Sequence, residues 1–198
     1  FWNDAIRQVW DETNDGLETL PKNIDVLVQQ IDKAAQVFWS DPKRHKTGRL
    51  NLRKARYEIF NNGIGLDSQF GEDIRWAIAD KCGQLMLEKT TLYPDAISTL
   101  NKLRHNKVKL ALVTNGTSTA QRKKINKFDL ENYFDHIQIE GEAGIGKPEL
   151  GAYKKALTAL EVKASETWMV GDNLEWEVIA PQKSVSYTHL RAHETRPY

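Results

Sequence analysis

Apolar residues in the first part of the chain recur at intervals of three and four, the period of a helix with one buried face. Phe1, Ala5, Ile6, Val9, Trp10, Leu17 and Leu20 predict a first helix, stopped by Pro21. Ile24, Leu27, Val28, Ile31, Ala34, Ala35 and Phe38 predict a second, ending near Asp41-Pro42, because the residue before a proline avoids helical backbone. After a basic segment, Leu52, Ala55, Ile59 and Phe60 mark a third helix, with a break expected at Asn61-Asn62-Gly63. Ile74, Ala77, Ile78, Cys82 and Leu85 mark a fourth. The pattern holds no convincing strand as far as residue 90, so residues 1–90 read as a helical bundle.

The pattern changes at Leu92. Pro94 and Asp95 suit the first turn of a helix carried on by Ile97, Leu100 and Leu103. Val108-Lys109-Leu110-Ala111-Leu112-Val113 is a short apolar run of strand length, followed by Thr114-Asn115-Gly116. A polar helix from Gln121 to Lys127, a strand from His136 to Ile139, a helix through Leu150, Tyr153, Leu157 and Leu160, and a strand over residues 167–170 complete the alternation. Strand and helix in turn predict a parallel α/β sheet. Such sheets carry their ligands beyond the strand C-termini, where the polar clusters of this chain fall.

Composition narrows the field. Hydrophobic residues make up 40% of the 198, enough for a real core. Lys plus Arg number 28 against 27 Asp plus Glu, a net charge of +1 that argues against a nucleic-acid coat or an anionic-membrane binder. The basic run over residues 43–56 lacks interleaved aromatics and reads mainly as a solvated helix face, with Arg49 and Arg53 as candidate anion contacts. No apolar run approaches the roughly 20 residues of a membrane span. The single cysteine, Cys82, excludes an intrachain disulfide. These features lead us to expect a soluble, cytoplasmic protein.

Three clusters at or near strand ends carry candidate chemistry. Thr114, Asn115 and Gly116 offer a hydroxyl, an amide and a turn whose N–H groups could hold an anion. Gly146-Lys147-Pro148-Glu149 fixes a lysine at a helix start, where its ammonium could neutralise a phosphate or carboxylate. Asp172, with Glu177 five residues on, offers two carboxylates to a hard cation such as Mg²⁺. Taken singly, each has an ordinary reading: a strand-to-helix turn, a surface lysine, a helix cap by Asp172 with Asn173.

Together and in this order, the clusters resemble motifs II, III and IV of the haloacid dehalogenase-like (HAD) hydrolases, over about residues 1–183. The likeness is greatest to the branch of phosphoglycolate phosphatases, nucleotidases and 2-haloacid dehalogenases. The resemblance implies a three-layer Rossmann-like α/β core over residues 91–183 and an α-helical cap over residues 1–90. It also implies a Mg²⁺-dependent phosphatase of a small phosphorylated metabolite, working through an aspartyl-phosphate. Thr114, Asn115 and Gly116 would hold the phosphoryl group, Lys147 would stabilise its charge, Asp172 would bind Mg²⁺, and Glu177 would contact it through water. The family's motif I, Asp-x-Asp-x-Thr, supplies the nucleophile and the acid/base, and it occurs nowhere in these 198 residues. The expectation is therefore an N-terminally truncated fragment, lacking the core's first and last strands, inactive and poorly stable. Alternatives are a metal-independent 2-haloacid dehalogenase and a non-catalytic phosphate-binding relative.

Residues 184–198 have neither helical nor strand period and resemble a translated sequencing adapter, so a non-native tail is expected. The metal-like spacing of His189, His193 and Glu194 is discounted with it.

Overall fold

The computed structural model describes residues 1–13, 23–65 and 70–184, the side chains of residues 183 and 184 excepted. The expectations for Leu17, Leu20 and Pro21, and for the tail beyond Ser184, lie outside the described residues. The chain divides into two compact units, Phe1–Thr91 and Leu92–Tyr198.

In the first unit, α1 (Trp2–Thr13), α2 (Ile24–Ser40), α3 (Pro42–Gly48), α4 (Leu52–Ile64) and α5 (Glu72–Lys89) pack as a bundle. α1 lies on α5, α2 on α4, and α4 on α5. Their apolar stripes meet in one core that includes Ile6, Trp10, Ile31, Phe38, Ile59, Phe60, Ile78 and Cys82. Burying each large aliphatic or aromatic side chain of this kind stabilises the fold by roughly 1.5–3 kcal/mol. Trp10 and Phe60 each meet the ring of Phe70 edge-on.

The basic segment, read as a helix face, gains its own bounds here, and one local expectation is corrected. The basic segment begins as a helix of its own: Asp41 accepts a 2.7 Å hydrogen bond from the Arg44 N–H, and Pro42 occupies the first helical turn. Asn61-Asn62-Gly63 does not break α4, which runs on to Ile64 and ends at Gly65. Gly63 lies so close to the Ile31 backbone on α2 that a Cβ there would come within 2.6 Å of the Ile31 Cα. The missing side chain serves helix packing rather than a turn.

The second unit contains α6 (Ala96–His105), β1 (Ala111–Thr114), α7 (Ser118–Lys127), β2 (His136–Ile139), α8 (Glu140–Ala143), α9 (Leu150–Leu160) and α10 (Ala180–Ser184). Pro94 and Asp95 stand just ahead of α6 instead of in its first turn. β1 and β2 pair in parallel, with Ala111 opposite His136 and Thr114 opposite Ile139, and α7 makes the crossover. α9 packs against both strands. This small parallel α/β arrangement, in a chain that also carries a helical unit, is the Rossmann-like fold expected.

The strand expected over residues 167–170 forms no ladder among the described residues. Thr167 has extended backbone, yet among the described residues β1 is paired with β2 alone. Extended propensity becomes a strand only when a neighbour takes up its N–H and C=O groups. Trp168 and Val170 are left 72% and 77% exposed.

Candidate active site

Three loops of the second unit carry the candidate residues, and side-chain hydrogen bonds link them. The 114–116 turn leaves β1 with Gly116 at φ +114°, backbone that a side chain would strain. Asn115 crosses from this turn to the loop before α9. Its amide Nδ2 donates to the Lys147 carbonyl at 2.7 Å, and its Oδ1 accepts from the Lys147 N–H at 2.8 Å. The Asn115 carbonyl accepts in turn from Gln121 Nε2 on α7 at 2.6 Å. The Asn115 side chain, expected to hold a phosphoryl group, is therefore committed to seating Lys147.

Lys147, followed by a cis peptide bond to Pro148, reaches the third loop. Its ammonium donates to Glu177 Oε1 at 2.6 Å. The side chains of this ion pair are 13% and 3% exposed. The second oxygen of Glu177 accepts from the Asn173 N–H at 2.9 Å. Gly171 admits this arrangement, because a Cβ there would overlap the Glu177 side chain. Glu177 lies on a π-helical stretch, Glu175–Ile179, whose first turn is capped when Asn173 Oδ1 accepts from the Trp176 N–H at 3.0 Å. Asn173 thus does the capping and Asp172 does not. Tyr153 of α9 braces the same stretch by donating its hydroxyl to the Trp176 carbonyl, and burial pushes its phenol pKa up.

Among the described residues Thr114 makes one hydroxyl contact, at 3.4 Å to the Asn115 carbonyl, so its hydroxyl can still serve a ligand. The Gly116 N–H is not available in that way. It donates at 3.0 Å to Oε2 of Glu140, a buried carboxylate that the sequence reading did not single out. An acid placed directly after a buried strand end, beside a turn rich in N–H groups, was the signal that could have found it.

No three His, Cys, Asp or Glu side chains cluster as a metal cage among the described residues. Mg²⁺ needs only one or two protein carboxylates and keeps several waters. Asp172 is exposed and can supply one such oxygen. Glu177, expected to reach a metal-bound water, has both oxygens engaged and serves as counter-ion to Lys147. Of the two carboxylates, Asp172 is thus the one open to a cation.

Arg49 and Arg53 belong to the first unit. Arg49 is buried at 8% exposure, with its guanidinium 3.5 Å from His45 Nδ1. Arg53 grips Asp80 through two hydrogen bonds of 2.8 and 3.0 Å and lies over the Trp76 ring. The Nε–Nη2 fork of Arg53 is thus taken up within the helical unit. No helix among the described residues is long and apolar enough to cross a membrane.

Comparison with known proteins gives this geometry a context. The chain is 42% identical over 99 residues to phosphoserine phosphatase of Thermus thermophilus, covering 50% of this chain and 37% of that protein. It is 36% identical over 138 residues to ribulose-1,5-bisphosphate 5-phosphatase of Halopiger xanaduensis, covering 68% of this chain and 57% of that protein. The chain thus spans less than two thirds of the length of these relatives. In fold it is similar to the HAD-hydrolase YfnB of Bacillus subtilis, with TM-score 0.65, 19% identity, and coverage of 92% of this chain and 77% of that one. The profile of the family described as haloacid dehalogenase-like hydrolase matches residues 3–183. With that match across nearly its whole length, the chain belongs to the haloacid dehalogenase-like hydrolases.

Proposed function

We propose that the protein is a Mg²⁺-dependent phosphatase of a small phosphorylated metabolite, working through an aspartyl-phosphate intermediate. The observation that carries this reading is the double hydrogen bond from Asn115 to the Lys147 backbone. It ties the ammonium-bearing residue to the turn that holds Thr114, so that a hydroxyl and a cation can serve one phosphoryl group. The phosphatase names of the relatives support phosphoryl transfer over dehalogenation.

In this reading the Thr114 hydroxyl donates to a phosphoryl oxygen. Lys147, held by Glu177, stabilises the negative charge that grows on the phosphoryl group, as a fixed cation in a partly dry site does best. Asp172 holds Mg²⁺, which when bound supplies further neutralising charge. The helical unit, Phe1–Thr91, has the part of the family's substrate-selecting cap. The nucleophile and the acid/base belong to an Asp-x-Asp-x-Thr motif that these 198 residues do not contain. The 198-residue chain by itself is accordingly inactive.

The test is phosphate release from p-nitrophenyl phosphate by the natural protein that carries these residues together with motif I. Release that requires Mg²⁺ and stops with chelator is expected, with none from the 198-residue chain. A natural protein that cleaves no phosphate ester in Mg²⁺, or a 198-residue chain that turns one over, contradicts the proposal.

A further inference from the structure

Glu140, the first residue of α8 and the one directly after β2, is buried at 4% exposure. Its Oε2 accepts the Gly116 N–H at 3.0 Å. The next residue completes the grip: the Gly141 N–H donates to the Gly116 carbonyl at 2.9 Å. The Gly116 residue is therefore held at both its N–H and its carbonyl by the two residues that leave β2. Gly146 packs against the same group, since a Cβ there would come within 2.6 Å of Glu140 Oε1 and 2.7 Å of Asn115 Oδ1. Glu140 thus sits beneath both the turn after Thr114 and the peptide leading into Lys147.

A carboxylate is a costly group to bury, and it is retained only where its oxygens are well used. A Gly116 amide left without this acceptor would be free to rotate the turn, since glycine at φ +114° is held by no side-chain sterics of its own. We propose that Glu140 is a positioning residue. By fixing the Gly116 amide it aims the Thr114 hydroxyl and seats the Asn115 side chain that carries Lys147. What matters is the place of its acceptor oxygen rather than its charge. This inference rests on the phosphatase reading above.

Three substitutions in the natural protein separate place from charge. Glu140→Gln keeps an oxygen at the same reach and removes the charge. Glu140→Asp keeps the charge and withdraws the oxygen by one methylene. Glu140→Ala removes both. With p-nitrophenyl phosphate and Mg²⁺, E140A is expected to lower kcat/KM about a hundredfold, the scale of a small misplacement of reacting groups. The loss should fall mainly on kcat, because the aimed groups act on charge that develops in the transition state. E140Q should stay within about tenfold of wild type, since a neutral acceptor is weaker but still in place. E140D should lie between E140Q and E140A. Protection of the Gly116 amide from hydrogen exchange should follow the same order, and it needs no turnover to be read.

An E140D equal to or better than E140Q overturns the inference, because charge would then be the requirement. So does an E140A with unchanged kcat, or a loss confined to KM. If E140A does not fold, the order of E140Q and E140D decides alone. A wild-type protein that cleaves no phosphate ester removes the phosphatase reading and this inference together; an active wild type with insensitive variants removes this inference only.

Discussion

The two units of the chain are built on different principles. Phe1–Thr91 is held by apolar packing: Phe60, Ile6, Ile31, Ile59, Ile78 and Cys82 are buried almost completely, and Arg49 is its one buried charged side chain among the described residues. Among the described residues, Leu92–Tyr198 contributes Ile139 alone to the set of large, fully buried side chains. It buries Gln138, Glu140 and Glu177 instead, and leaves Trp168, Val170 and Leu174 exposed. Apolar packing is non-directional and yields stability. Buried polar networks are directional, and they hold specific side chains in place while adding little net stability. The difference teaches where chemistry is to be sought: in the unit that keeps charge dry and paired.

The sharpest way to break this comparison is at Lys147. Lys147→Ala in the natural protein should lower kcat/KM for a phosphate ester by about a hundredfold to a thousandfold, the usual cost of removing a fixed charge-stabilising group. It should also destabilise the second unit by about 3 kcal/mol, since Glu177 is left buried and unpaired. Replacing both partners with Met and Leu should restore most of that stability and none of the activity. Steady-state kinetics and urea unfolding read the two effects apart.

The matching change in the helical unit acts on stability alone. Phe60→Ala empties a site in contact with the Trp2 and Phe70 rings and should cost about 3–5 kcal/mol in urea unfolding. A loss below about 1 kcal/mol would mean that this core is not what holds the unit together.

A weaker effect is expected at the exposed apolar segment. The 198-residue chain should associate as its concentration rises, through the exposed apolar side chains of Trp168 and Val170. Trp168→Lys should reduce the association measured by light scattering. A wild-type chain that melts reversibly and cooperatively, without scattering, would contradict this.

The smallest effect is a pH dependence. Arg122 and Ser118, both hydrogen-bonded to Glu142, hold its carboxyl at about 2, below the ordinary 4.5. A depressed folded-state value stabilises above the unfolded value, and that contribution is lost as pH falls from about 4.5 to about 2. The pair is partly exposed, so salt should weaken it. Acid unfolding of Glu142→Gln should show a flatter slope across that window than wild type; an identical slope would remove the assignment.

Much of this organisation was legible in the sequence. β2 has the predicted bounds, and helices α2 and α5 carry the predicted apolar residues on their buried faces; in α9 Tyr153, Leu157 and Leu160 face inward, while Leu150 is exposed. The three motif clusters are the three linked loops. What could not be read were features set by contacts distant in the chain. Gly63 signals a break by propensity, but Ile31 of α2 turns it into a packing position. Residues 167–170 have strand character, but no local pattern says whether a partner strand is present. Asn115 reads as a ligand donor until Lys147, 32 residues away, takes both its polar atoms. Glu140 belongs to none of the three motif clusters, and only the fold brings its carboxylate under Gly116.

The central claim is that the Thr114 hydroxyl and the Lys147 ammonium act on one phosphoryl group. A double-mutant cycle on kcat/KM, with Thr114→Ala, Lys147→Ala and the double variant of the natural protein, tests it most directly. The account predicts strong non-additivity, the double variant losing far less than the product of the single losses. Losses that multiply independently, or a Thr114→Ala variant as active as wild type, would contradict it.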